Sequence, residues 1–137
     1  MLLPSQRDSI VMPVHIALNA METGQGSMAL RHTIAAFLNI AGVCAVRMKG
    51  TAQETKEAID AAKHALVESD KRYQRTGKFG FAGPEMLVMR KAVTLGDELI
   101  KRANTSILTE AVERVSVINA RTPEVMGFAH EPIGVAA

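Results

Sequence analysis

Between residues 71 and 83 the chain interleaves Arg72, Arg75 and Lys78 with Tyr73, Phe79 and Phe81. Guanidinium and ammonium groups attract phosphate and aromatic faces stack on bases, so these residue types at this spacing suit contact with a nucleic acid. They also suit a plainer use, in which the rings fold inward to plug one end of a helical bundle and the cations form a wetted rim. Spacing leaves both open. Gly77, Gly80 and Gly83 add a second possibility, because backbone N–H groups ahead of a helix starting near Pro84 can receive a small anion. The segment lacks the Gly-Lys-Ser/Thr ending of a phosphate loop and the strand that precedes one. A tight connection with positive φ angles therefore competes with the anion site.

No other spacing fixes a reaction. The histidines at 15, 32, 64 and 130 form no close ligand pair, and Cys44 has no CxxC partner, so no metal is expected. No nucleophile stands at a spacing that places a base beside it, and a non-enzymatic protein without a cofactor is the expectation. Cys44, the only cysteine, excludes an intramolecular disulfide and reads as a buried, inert thiol. Pro13, His15 and Asn19 interrupt the apolar stretch from Ile10 to Met21 and no signal-cleavage pattern follows, which reads as cytoplasmic.

The elements that must position these side chains are helices. The 137 residues, 47% hydrophobic and 22% charged, suffice for one domain with its own core. The expected architecture is all-α: a compact bundle of about five helices over residues 1–120 and an irregular tail over 121–137. Ser5 is the expected N-cap of a first helix running to about Glu22, kinked or divided at Pro13. A second helix begins near Ser27 and stops before Gly50, where glycine tolerates a left-handed terminus. Its stretch Ile34–Val46 is thirteen residues with Asn39 as the one polar side chain, too short to cross a bilayer and suited to the centre of the bundle.

Thr51-Ala52-Gln53-Glu54 fits a capping box for the third helix, ending at Gly77. Ile59, Ala62, Leu66 and Tyr73 form its apolar stripe, while Lys56, Glu57, Asp60, Lys63 and Glu68 read as its wet side. Pro84 and Glu85 suit the first turn of a fourth helix, with Met86, Met89, Val93 and Ile100 facing inward. A fifth is recapped around Asn104–Ser106 and carries Leu108, Ala111, Val115 and Ile118.

Asn39 and Gly42 are the candidates for an oligomer interface: a buried amide can specify register between copies, and a glycine among alanines permits close helix crossing. A locally satisfied core amide is the other reading of Asn39. A nearly all-apolar second helix needs neighbours on several sides, which predicts a homodimer or larger assembly. The formal charge of +2 is too small for a general nucleic-acid coat, yet residues 71–91 carry +5 beside −3 over residues 51–70.

The passage Arg75-Thr76-Gly77-Lys78-Phe79-Gly80-Phe81-Ala82-Gly83-Pro84-Glu85, after a long amphipathic helix, resembles passages in small helical proteins of unassigned role from bacterial prophages and plasmids. The likeness extends from Ile10 through the fourth helix. It implies a mobile-element accessory protein that modulates a host or phage factor, and it carries over no catalytic residues. The leading functional expectation is therefore a helical binding or adaptor protein acting on a protein partner by surface occupancy. A nucleic-acid module at 71–83 and a small anionic-ligand binder are the alternatives.

Overall fold

The computed structural model describes residues 4–121, and the side chains of residues 8–115, as five α-helices: α1 (Pro4–Glu22), α2 (Met28–Arg47), α3 (Gln53–Thr76), α4 (Gly83–Arg102) and α5 (Thr105–Arg121). No strand occurs among the described residues. The expected tail beyond Arg121, and the side chain of Ile118, lie outside the described residues.

α2 is the central element, packing against all four other helices, while α3 and α4 form the most extensive pairing. From Ile34 to Ala45 every α2 residue except Ala36 is buried inside a single chain. The expected need for a second copy to cover this helix therefore falls away. Its twenty residues have the length and hydropathy to cross a membrane, more than the thirteen-residue stretch suggests, but 67% of that window is buried against the other helices. Burial of such a face inside a helical bundle satisfies the same apolar chemistry.

Local signals explain most helix ends. The Ser27 hydroxyl accepts from Leu30 N–H to cap α2, and Asn104 Oδ1 accepts from Ile107 N–H at 2.8 Å to cap α5. Gly77 ends α3 in the left-handed region, φ 74°. Three expectations need correction. Ser5 lies within α1, and Pro13 sits inside that single helix without dividing it. α2 stops at Arg47, with Met48 as an extended C-cap, so Gly50 acts in the following turn. The capping box at Thr51 does not form: Ala52 is the N-cap of α3, and the Thr51 hydroxyl donates backwards to Met48 O at 2.8 Å.

Close approach decides two glycines. A Cβ at Gly96 would stand 3.0 Å from the Phe37 ring, so α4 passes α2 at a distance that only glycine gives without displacement. At Gly26 a Cβ would stand 2.8 Å from the Phe79 carbonyl oxygen, which locks the α1–α2 loop against the α3–α4 connection.

Candidate functional site

The α3–α4 connection is built from the two helices it joins. Gly77 turns the chain back, and Phe79 then inserts to 8% exposure and stacks on Tyr73, ring centroids 4.0 Å apart and planes within 5°. Two donors of α3 hold the connection down: the buried Ser69 hydroxyl donates to Gly80 O at 2.7 Å and Arg72 Nη2 donates to the same oxygen at 3.0 Å. Arg72 also grips Glu85 through both terminal nitrogens, at 3.0 and 2.5 Å. Glu85 in turn accepts from Ala82 N–H at 3.0 Å. The Arg72 hydrogen bonds hold the Glu85 carboxyl below the usual range, and Glu85 raises the guanidinium in return.

Each residue expected to meet phosphate or bases can now be placed. Arg72 is engaged by the protein's own carboxylate and carbonyl; Tyr73 and Phe79 present their faces to each other; Phe81 is half-buried against the core. Arg75 and Lys78 are exposed. The connection brings the six residues together as a packed plug with a cationic rim. At the start of α4, Glu85 fills the place that an anion would take. Of the three glycines here only Gly77 has positive φ, and a Cβ at Gly80 or Gly83 meets nothing within 4 Å. The +5 and −3 blocks largely meet each other and their neighbours, through Arg72–Glu85, Lys91–Glu54, Lys71–Glu68 and Arg90–Glu22.

Asn39 and Gly42 are both buried within the monomer, and Asn39 has no solvent exposure. The Asn39 amide is also not the satisfied core group of the alternative reading, because neither Oδ1 nor Nδ2 has a hydrogen-bond partner. Cys44 is the inert thiol expected, its pKa pushed up to about 11 by burial.

A cleft that sequence reasoning missed lies between the C-terminal half of α2 and the N-terminal half of α3. It encloses about 360 Å³ and is lined by Gly42, Ala45 and Val46 from α2 and by Gln53, Lys56, Ile59, Asp60 and Lys63 from α3. Exposure grades it from mouth to floor: Val46, Gln53, Lys56 and Asp60 are open to water, whereas Gly42, Ala45, Ile59 and Lys63 are buried. The expectation that Lys63 belongs to the wet side is thus corrected. Ile59, Ala62, Lys63 and Leu66 follow the i, i+3, i+4, i+7 spacing of one helical face, so the period points Lys63 inward although its charge suggested water. Burial pushes the Lys63 amine down to about 8, against a smaller upward pull from Asp60.

Ligand pockets of this kind are concave and mostly apolar with few polar groups, and ~300 Å³ is the lower end of their usual volume. The cleft matches that description better than the connection does. Comparison with family models, curated proteins and solved structures finds no match, so the candidate site rests on its own geometry.

Proposed function

We propose that this chain is a non-enzymatic helical binding protein whose ligand enters the cleft between α2 and α3. The observation that carries the reading is a buried lysine in a recess whose other buried lining residues, Gly42, Ala45 and Ile59, are apolar, and whose polar residues Gln53, Lys56 and Asp60 are exposed. A buried ammonium gives a small ligand both an anchor and an orientation. The test is a binding screen of small molecules read by NMR at Gly42, Ala45 and Ile59. Val46→Trp, placed at the mouth where the native side chain is 52% exposed, should close the cleft and abolish those shifts while leaving the fold intact.

A second reading keeps the adaptor role on a protein partner. It is favoured by Met12 and Ile16, one turn apart on α1 and 55% and 60% exposed, which offer a small apolar contact. In this reading the contact pairs two copies of the chain through α1. Concentration-dependent mass in light scattering, lost in a Met12→Glu, Ile16→Glu double variant, would support pairing of copies through α1. A monomer mass at all concentrations would remove it.

A further inference from the structure

We infer that the α2–α3 cleft takes a small molecule with one anionic group and a short apolar body, the anion set against Lys63 and the body against Ala45, Val46 and Ile59. This rests on the cleft being the binding site, and it adds the chemistry of what binds. Two ammonium groups, Lys56 and Lys63, line the cleft against one carboxylate, Asp60, and α2 contributes no charged side chain to it. A cationic ligand would meet two like charges. A single carboxylate is also too few donors for a metal ion.

Depth adds direction. Asp60 and Lys56 stand at the wetted mouth, where charges are screened, whereas Lys63 is 5% exposed on the floor. The strongest electrostatic pull is thus at the inner end, and the walls above it are aliphatic. Burial lowers the Lys63 amine to about 8 against the upward pull of Asp60, and an anion set beside it favours its charged form. One turn before Gly42 on the same face of α2, Asn39 is the only amide in the segment from Ile34 to Ala45, and its polar atoms are unpartnered.

The test uses the full chain and three six-carbon probes of matched size: hexanoate, hexanol and hexylamine. Hexanoate should shift the NMR signals of Gly42, Ala45 and Ile59, hexanol should do so more weakly and hexylamine not at all. Lys63→Met should weaken hexanoate about tenfold or more, the loss expected for a charge-assisted contact, and Lys63→Arg should restore part of it. Asp60→Asn, at an exposed position, should tighten hexanoate when measured at about pH 6, where Lys63 keeps its proton without the upward pull of Asp60, and so tests the inference even if the Lys63 variants do not fold; an unchanged or weaker Kd in this variant counts against the anionic assignment. Hexanol or hexylamine binding as tightly as hexanoate, or an unchanged Kd in Lys63→Met, would overturn the anionic assignment while leaving the cleft as a binding site. If no probe shifts the cleft signals, both the assignment and the cleft reading fall.

Discussion

The guanidinium of Arg31, without solvent exposure, holds the carboxylate of Asp70 in a two-pronged grip, Nε to Oδ1 at 2.9 Å and Nη2 to Oδ2 at 2.5 Å. The pair joins the start of α2 to the end of α3 and sets these helices antiparallel, with the cleft at the opposite end of their contact. Its geometry is the planar fork that arginine offers and lysine does not. Asp70→Ala would leave the buried guanidinium without its carboxylate and should cost roughly 2 to 3 kcal/mol, somewhat below a fully buried pair because Asp70 keeps a quarter of its side chain in water. Urea unfolding checks this, and Arg31→Met combined with Asp70→Leu should recover most of the loss.

Phe79→Ala should lower stability by about 3 kcal/mol, since it empties a buried ring site and leaves Tyr73 unstacked. Arg75→Ala and Lys78→Ala, on the exposed rim, should change stability by less than about 0.5 kcal/mol. Binding to single- or double-stranded oligonucleotides at physiological salt should be negligible. Tight binding that weakens steeply with salt and is lost in Arg75→Ala or Lys78→Ala would restore the nucleic-acid alternative.

The Arg72–Glu85 grip predicts a response to acid. Glu85 has a folded pKa below its ordinary value, so its contribution is complete above about pH 4.5 and is lost as pH falls through the lower folded value. Thermal melts between pH 6 and 3 should show a steeper loss in the wild type than in Glu85→Gln. The variant should already have the loosened connection at neutral pH.

Lys63 predicts a response of the same sign, but in the alkaline range. Its folded pKa of about 8 lies below the ordinary 10.5, so the unfolded chain binds more protons between those values and stability rises with pH across that window. The full difference corresponds to about 3 kcal/mol as an upper bound. Chemical denaturation from pH 7.5 to 10 should show this gain in the wild type and not in Lys63→Met. Parallel curves for the two proteins would refute it.

Helix number and most core positions were legible because apolar residues at 3.6-residue spacing dominate α3, α4 and α5. The cleft and the Arg31–Asp70 pair were not, for one shared physical reason. Arg31, Ile34, Ala35 and Leu38 lie on one helical face, as do Ile59, Lys63, Leu66 and Asp70, and in both sets the period places a charged residue inward. Charge argued for water and spacing for the core, and at these positions spacing prevailed because a partner or a cleft lay opposite. The 71–83 segment shows the reverse weakness. Its residue types suit two uses, and the partners that settle its packing, Ser69, Gly26 and Glu85, are drawn from three different stretches of chain. Gly42 likewise signalled nearness but not whether the space beside it was filled.

The central place of α2 has a consequence for synthesis. A chain growing from its N-terminus completes this twenty-residue apolar helix before α3, α4 and α5, three of its four neighbours, have been made. Its hazard therefore belongs to the nascent chain: for the time needed to add the roughly seventy further residues that complete α5, at roughly 5 to 20 per second, several seconds pass with an uncovered helix of membrane-spanning length. Chains stalled on the ribosome after α2 should take up a hydrophobic dye that the released, folded protein excludes. The folded bundle conceals a helix that its own biosynthesis must first shelter.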